Sequence, residues 1–323
     1  MTPATQAELA RGTATGFAEE VLHFLTQQPR QLPSRWLYDG LGSALFEAIC
    51  RLPWYPLTRA ENRLLEGHAH EILTSSVSTI VELGSGSGAK LSALIAGAGN
   101  QRGRLDLHLV DVSGSALAQA GRALEGHHDV RVVNHRATYE TGLEEFGLDR
   151  SAAGRRLALF LGSNIGNFDP PGRDAFLRSV RSALDHGDAF LLGADLVKPE
   201  RELLLAYDDP LGVTAAFNRN LLARINRELQ GDFDLDGWSH RAIWNEERSR
   251  IEMHLHSDRR QRIAIPGAGL TFVAEPGETI WTESSYKYRA REVVAMLERS
   301  GFEVRAQWID TVDRFALTWA EAV

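Results

Sequence analysis

From residue 78 onward, short apolar runs alternate with longer stretches in which apolar residues recur every three or four positions. An uninterrupted apolar run predicts a buried strand, whereas spacings of three and four predict one face of a helix. The predicted strands cover residues 79–83, 105–110, 130–133, 157–161 and 189–192, and the intervening helices include 113–124 and 174–184. This alternation predicts the α/β class, a parallel sheet with helices on both faces.

The segments on either side of this region have a different spacing of apolar residues. Residues 5–28 predict an amphipathic helix, and residues 43–52 predict a shorter one. Thr58 followed by Glu61 is typical of a capping box, which predicts a helix from residue 58 to about 74. After residue 194 the pattern predicts helices at 200–207, 213–229 and 290–299, and strands at 238–246, 250–256, 262–265, 270–273, 303–308 and 315–319.

This change of rhythm predicts two domains, each built from two parts of the chain. One consists of residues 61–198 and 287–323 and contains the parallel sheet. The other is an α+β domain of residues 1–60 and 199–286.

Composition narrows the class of protein. The 323 residues include 35 basic and 43 acidic side chains, a net charge of −8, which argues against broad binding of nucleic acid. The single cysteine excludes an intramolecular disulfide framework and a multi-cysteine zinc site. No apolar run approaches the roughly 18 residues of a spanning helix, and no secretory signal opens the chain. We therefore expect a cytoplasmic protein without a membrane partner. Two histidine pairs, His254 with His256 and His68 with His70, lack a matched third ligand, so we predict no metal site.

A glycine-rich turn, residues 84–88, follows the first predicted strand and opens a helix. Glycines let the backbone approach a ligand closely, and a helix N-terminus favours a carboxylate or a phosphate. Asp111 ends the second strand, where its carboxylate can accept both hydroxyls of a ribose. It lies 27 residues after Gly84, against about 20 in the dinucleotide pattern. Glu82 and Lys90 favour S-adenosylmethionine, although the turn alone also permits a nicotinamide-dependent oxidoreductase.

Polar amides and glycines follow the fourth predicted strand, at residues 160–167. Ligands of open α/β sheets bind at that edge, and an asparagine can donate to a carboxylate and accept from an amine. An asparagine can equally form a turn, because it tolerates left-handed backbone. For Asn164 we expect the turn.

Longer motifs give the chain a family resemblance over about residues 32 to 319. They include RWLYDG at 35–40, TRAE at 58–61, the glycine turn with Lys90, AYDD to AAFNRN at 206–220, and TESSYK at 282–287. The chain resembles the histidine Nα-methyltransferases of ergothioneine biosynthesis, which use S-adenosylmethionine to trimethylate L-histidine to hercynine. The resemblance implies a Rossmann-like methyltransferase sheet plus a substrate-binding domain, and a small-molecule enzyme that we expect to be monomeric. A related amino-acid N-methyltransferase, for example one acting on a tryptophan derivative, is the nearest alternative.

The resemblance also implies roles for individual residues. Those expected to bind S-adenosylmethionine are Gly84, Gly86, Lys90, Asp111, Thr138 and Tyr139. The pair Thr138-Tyr139 departs from the usual Asp-Phe of the family, so a threonine hydroxyl replaces a carboxylate at the adenine. Those expected to bind histidine are Tyr55, Gly162, Asn167, Tyr207, Met253, Glu283 and Ser285.

Within the histidine set, Glu283 and Ser285 would receive the imidazole, and Asn167 and Tyr207 would hold the α-carboxylate and amine. Tyr38 is the expected catalytic residue. Because an unperturbed tyrosine pKa is near 10, its first role would be to position the amine. Phe46 and Phe217, with Gly162, would form apolar walls beside the nitrogen.

Overall fold

The computed structural model describes residues 6–99, 103–148 and 154–323. These divide into two compact units, each built from two parts of the chain. The seven-strand unit comprises Pro56–Lys198 and Tyr286–Val323, and the four-strand unit comprises the described residues up to Tyr55 with Pro199–Ser285. Position 5, where the first predicted helix begins, lies outside the described residues.

The seven-strand unit contains a mostly parallel sheet. Its strands are β2 (Val77–Leu83), β3 (Leu105–Val110), β4 (Val130–His135), β5 (Arg155–Phe160), β6 (Ala189–Asp195), β12 (Phe302–Asp310) and β13 (Phe315–Ala322). They are ordered β12-β13-β6-β5-β2-β3-β4, and β13 runs antiparallel to both of its neighbours. The predicted α/β class is confirmed, because apolar strands buried in a parallel sheet give the continuous runs seen in the sequence.

Seven helices accompany this sheet in the described residues: α3 (Leu57–Gly67), α4 (Ala69–Ile72), α5 (Ala89–Ala98), α6 (Gly114–Leu124), α7 (Tyr139–Leu148), α8 (Pro170–Ala183) and α11 (Ala290–Arg299). Side chains of α7, α8 and α11 join those of the strands in one buried apolar core, with Phe146, Phe160 and Phe176 among its members. Strand β2 pairs with β3 on one side and with β5 on the other. The chain order therefore reverses at β2, and ligands of such sheets bind beyond the carboxyl ends of the strands at that reversal.

The four-strand unit has a sheet of order β1-β11-β8-β7 and a separate pair, β9 and β10. The strands are β1 (Arg30–Gln31), β7 (Trp238–Asn245), β8 (Arg250–Ser257), β9 (Gln261–Ile265), β10 (Leu270–Ala274) and β11 (Thr279–Tyr286). The helices are α1 (Gln6–Leu25), α2 (Gly40–Ile49), α9 (Glu200–Tyr207) and α10 (Val213–Leu229). The pattern predicted α9 and α10 with these bounds but did not predict β1 or β11, which pair in parallel.

The predicted capping box at Thr58 and Glu61 is wrong. Helix α3 begins at Leu57, and Pro56 precedes it without a side-chain cap. Thr58 therefore lies inside the first turn, and Glu61 has no exposed surface. The helix also ends at Gly67, and the short α4 follows as a separate element. Glu61 faces inward because its carboxylate finds stronger donors inside the fold, as described below.

A buried ionic cluster stands at the end of β6. Asp195 is fully buried, and its carboxylate lies 2.7 Å from the Lys198 ammonium and 2.9 Å from the Lys287 ammonium. Its backbone N–H donates to the Ser163 hydroxyl, 2.9 Å away. Two buried ammonium groups thus share one carboxylate, and the hydrogen bond to Ser163 connects the end of β6 to the loop that follows β5.

We expect Asp195→Asn to lower the free energy of unfolding by about 3–5 kcal/mol, because the variant leaves two buried ammonium groups without their carboxylate. Urea unfolding of the purified protein measures this. Glu303→Gln is the control, because it breaks an exposed pair with Arg305, and exposed pairs contribute at most about 1 kcal/mol. Equal losses in the two variants would contradict the assignment.

Candidate active site

The glycine turn after β2 requires its glycines. Gly84, Gly86 and Gly88 all have positive φ, between 51° and 78°, a region that residues with a Cβ rarely adopt. At Gly84 a Cβ would also lie 3.1 Å from both the Asn164 amide nitrogen and the Tyr139 hydroxyl. At Gly88 it would lie 2.7 Å from the Ala120 backbone. Conformation thus favours glycine at all three positions, and limited space also disfavours a side chain at Gly84 and Gly88.

Asp111 connects this turn to the next strand. It follows β3, and its carboxylate accepts from the backbone N–H of Gly86 at 3.1 Å and from that of Ser113 at 2.8 Å. Burial raises the pKa of Asp111, and these two hydrogen bonds oppose that shift. Each carboxylate oxygen retains a second lone pair, so the group can still accept hydrogen bonds from a ligand.

Two buried glutamates and one lysine lie beside the turn. Glu61 accepts from the backbone N–H of Gly162 at 2.8 and 2.9 Å and lies 2.5 Å from the Lys90 ammonium. Glu82 is 2% exposed, and among the described residues its Oε2 has no hydrogen-bond partner. Burial raises the pKa of Glu82 to about 8, although Lys90 lowers it. Because Oε2 of Glu82 is buried and has no donor among the described residues, it fits a ligand that supplies a cationic donor.

The loop after β5 differs from our expectation for Asn164. Left-handed backbone occurs at Gly162 and Ser163, with φ of 76° and 59°, and not at Asn164. Asn164 instead begins a short 3-10 helix, Asn164–Asn167, and its amide lies close to Gly84. The predicted turn role of Asn164 is therefore wrong, because its neighbours make the turn. Asn167 is half-buried at the end of the 3-10 helix.

Thr138 and Tyr139 have different surroundings. Thr138 is exposed, and its hydroxyl accepts from the backbone N–H of Thr141 at 3.4 Å, at the start of α7. The Tyr139 ring packs edge-to-face on Phe160 and Phe176, with centroids 5.3 and 5.9 Å apart. Burial raises the pKa of Tyr139, which keeps its hydroxyl neutral beside Gly84. Of the pair, Tyr139 is the one held against the glycine turn.

Five aromatic rings form a cluster in the four-strand unit, which we call the aromatic cluster. Neighbouring centroids lie 5.4 to 6.3 Å apart, and the members are Tyr38, Phe46, Tyr55, Tyr207 and Phe217. Burial raises the pKa of Tyr55 well above its usual value, and the nearby Tyr207 adds to this effect. Rings and neutral hydroxyls therefore dominate this part of the unit.

The polar groups predicted for the imidazole lie beside this cluster. The Tyr207 and Ser285 hydroxyls are 2.8 Å apart, and both residues are buried. Glu283 is half-buried on β11, and its negative charge contributes to the raised pKa of Tyr55. Met253 on β8 is 2% exposed. The structure thus brings four predicted histidine-binding residues, Tyr55, Tyr207, Glu283 and Ser285, into one neighbourhood.

The sequence analysis missed a buried polar network in the four-strand unit. Asn218 on α10 has no exposed surface, and its amide nitrogen donates to His240 Nδ1 at 2.9 Å and to the His254 carbonyl at 3.2 Å. Its carbonyl accepts from the Thr282 hydroxyl at 2.7 Å. His240 Nε2 donates to the Tyr207 carbonyl at 2.8 Å, so its other nitrogen accepts. The available signal was an asparagine within the apolar stripe of a predicted helix.

This network joins the elements that carry the predicted histidine-binding residues. Tyr207 ends α9, Met253 precedes His254 on β8, and Thr282 precedes Glu283 on β11. Among the predicted substrate residues, Gly162 and Asn167 belong instead to the seven-strand unit, together with the predicted cofactor residues.

The described residues lack the features of two other kinds of site, a metal site and a membrane-spanning helix. Across residues 6–99, 103–148 and 154–323, no three His, Cys, Asp or Glu side chains are grouped so as to hold a metal ion. Over the same ranges no helix is both long enough and apolar enough to cross a membrane.

Comparison with known proteins decides the family. A sequence model of S-adenosylmethionine-dependent, histidine-specific methyltransferases matches residues 17–322. The chain belongs to this family. The resemblance found in the sequence, the enzyme class and the cofactor S-adenosylmethionine are therefore confirmed.

Individual relatives agree over most of the chain. A histidine N-alpha-methyltransferase of Mycobacterium tuberculosis is 41% identical over 303 residues, which cover 93% of each protein. One of Mycolicibacterium smegmatis is 39% identical over 313 residues, covering 96% of each. Ergothioneine biosynthesis protein 1 of Schizosaccharomyces pombe is 27% identical over 87% of this chain and 38% of its own length.

Burial lowers the pKa of His240, so the folded chain holds this imidazole neutral at pH values where the unfolded chain protonates it. The unfolded state then binds more protons, and stability decreases as the pH falls below about 6.5. Between about pH 7.5 and 5.5, we expect the free energy of unfolding to fall less in His240→Gln than in the wild type. The difference should be up to about 1.4 kcal/mol per pH unit. Urea midpoints at the two pH values measure this. The exposed His128→Gln is the control, and an unchanged pH dependence in His240→Gln would refute the expectation.

Proposed function

We propose that this chain transfers methyl groups from S-adenosylmethionine to the α-amine of L-histidine, three in succession, to form hercynine. The observation that carries the proposal is the neighbourhood of Glu283, where a carboxylate and the Tyr207–Ser285 hydroxyl pair adjoin the aromatic cluster. The names of the mycobacterial relatives and of the fission-yeast ergothioneine protein support it. A cytoplasmic location and a monomeric state stay predictions from the sequence.

The residues of the seven-strand unit fit the cofactor. The free lone pairs of Asp111 can accept from ribose hydroxyls, and the buried Glu82 can accept from the ammonium of the methionine part. Lys90 supplies a positive charge for the carboxylate of that part. When bound, the cofactor supplies an electrophilic methyl group on a positively charged sulfur. Gly84 and Gly86 present no side chain to the cofactor, and the Tyr139 hydroxyl lies beside Gly84. Thr138 at the adenine stays a prediction.

The residues of the four-strand unit fit an imidazole. Glu283 can accept an N–H of the ring, while Ser285 and Tyr207 hold hydroxyls that donate or accept as the ring requires. Tyr55 stays neutral because its pKa is raised by burial, so its hydroxyl can also donate. A substrate without a ring N–H would leave the Glu283 carboxylate poorly solvated, which disfavours it. Met253 would close the apolar side. Asn167 belongs to the seven-strand unit, and its role at the α-carboxylate stays a prediction from the family resemblance.

The amine must lose its proton before it can attack, and it must be aligned with the methyl group. We assign Tyr38 to positioning the amine. Its edge-to-face packing on Phe46 and Phe217, with centroids 5.4 Å away in each case, holds the ring in place. As methyl groups accumulate, the nitrogen becomes a quaternary cation, and aromatic faces attract such cations. Phe46 and Phe217 therefore suit the later methylation steps, and the role of Gly162 as a wall beside the nitrogen stays a prediction from the family resemblance.

The reaction can be tested directly. The purified protein is incubated with S-adenosylmethionine and one amino acid at a time, and the products are analysed by mass spectrometry. We expect histidine to gain up to three methyl groups and the other amino acids to stay unmodified. Methylation of tryptophan in preference to histidine would favour the alternative substrate, and no methylation of any amino acid would refute the proposal.

For the imidazole site, we expect Glu283→Gln to raise the KM for histidine by about 100-fold, since a hydrogen bond to a charged group contributes about 1.5–3 kcal/mol. The affinity for S-adenosylmethionine should change by less than about twofold, because the predicted cofactor residues belong to the other unit. Steady-state kinetics and calorimetry separate the two effects. Glu275→Gln, on the surface of the four-strand unit, is the matched control. Equal losses for both ligands would show that Glu283 does not bind the imidazole.

A further inference from the structure

Glu61 is a charged residue at an apolar position. It lies in the middle of α3, and the residues that share its buried face are Leu57, Ala60, Leu64 and Leu65. The side chain has no exposed surface. Burial of a carboxylate is costly unless hydrogen bonds and an opposite charge compensate it, so its presence here calls for a specific role.

The partners of Glu61 lie on two different loops of the sheet edge. Lys90, whose ammonium is 2.5 Å from Glu61 Oε2, belongs to the first turn of α5, directly after the glycine turn. Gly162 lies two residues after the end of β5, and its backbone N–H donates to both carboxylate oxygens of Glu61. These loops leave the two strands on either side of the reversal in chain order. One side chain therefore holds both loops.

Strand β6 leaves room for this carboxylate. Gly193 is a glycine within an otherwise apolar strand, where it weakens the strand and often marks a close approach. A Cβ at Gly193 would lie 2.0 Å from Glu61 Oε1, so only glycine accommodates the carboxylate in its present place. The position of Glu61 is thus fixed from three sides, by α5, by the loop after β5 and by β6.

Two consequences follow for groups that face the cofactor edge. Lys90 interacts electrostatically with Glu82 as well, so Glu61 determines where the shared ammonium sits. The peptide bond between Leu161 and Gly162 is planar and trans, so the Leu161 carbonyl points in the direction opposite to the Gly162 N–H, which donates to Glu61. The carboxylate therefore sets both the position of a charge and the direction of a backbone dipole.

We propose that Glu61 is a positioning residue for methyl transfer, which acts through Lys90 and the Gly162 peptide to hold the two cofactor-edge loops in one arrangement. The inference rests on the proposed function for the reaction, but the binding of S-adenosylmethionine tests it separately. Because Glu61 has no exposed surface, it would act through these two partners and not by touching S-adenosylmethionine or histidine.

The test compares Glu61→Gln with Glu66→Gln, which makes the same change at an exposed position five residues later on the same helix. Calorimetry with S-adenosylmethionine measures the affinity without methyl transfer. We expect Glu61→Gln to weaken binding at least about tenfold and to lower kcat, and Glu66→Gln to behave as the wild type. A lowered melting temperature with unchanged affinity and kcat would overturn the proposal, because Glu61 would then be purely structural.

A double-mutant cycle with Lys90→Met shows whether Glu61 acts through the lysine. If it does, Glu61→Gln should weaken S-adenosylmethionine binding much less in the Lys90→Met background than in the wild type. Fully additive effects would overturn this route.

If Glu61→Gln does not fold, the variant Glu61→Asp provides the test, since it keeps the charge but is too short to reach both partners. Normal cofactor affinity in that variant would contradict the proposal. The protein could bind S-adenosylmethionine in a way that depends on Glu61 and yet leave histidine unmethylated. That result would refute only the proposed function.

Discussion

A buried carboxylate must be matched by donors, and this constraint organises the edge of the seven-strand sheet. Glu61 is matched by an ammonium and a backbone N–H, Asp195 by two ammonium groups, and Asp111 by two backbone N–H groups. Each carboxylate has at least one partner that is distant in the sequence: Gly162 for Glu61, Lys287 for Asp195 and Gly86 for Asp111. The loops that follow β2, β3, β5 and β6 are therefore held by charged hydrogen bonds, which are stronger and more directional than apolar contacts.

The four-strand unit meets a similar requirement with neutral groups. Asn218 and His240 hydrogen-bond to one another and to backbone carbonyls of two neighbouring elements, β8 and α9, and burial keeps His240 uncharged. Neutral hydrogen bonds contribute less individually, but a buried group that loses its partner is costly. The network thus connects α9, α10, β7, β8 and β11 through neutral groups.

The sequence predicted most strands and long helices because buried parallel strands are continuously apolar and α9, α10 and α11 are strongly periodic. It missed β11, whose polar sequence TIWTESSY lacks such a run, and β1, which is only two residues long. It misassigned Glu61 because a local pattern cannot distinguish a capping glutamate from one whose partner lies 101 residues away. The types of site residue came from the family resemblance, whereas their hydrogen-bond partners are set by tertiary contacts.

The different chemistry of the two units matches the movement of charge in the proposed reaction. Three carboxyl groups and one ammonium surround the glycine turn, so this edge favours a ligand that carries positive charge over its neutral product. Burial raises the pKa of Glu82 to about 8, so near pH 7 this carboxyl is mostly protonated, which limits its repulsion with Glu61 and Asp111. In the four-strand unit, aromatic rings suit the growing methylated cation, because their faces attract a charge that water solvates poorly. Carboxyl groups thus lie beside the glycine turn of the seven-strand unit, whereas aromatic rings lie beside the residues of the four-strand unit that we propose to bind histidine.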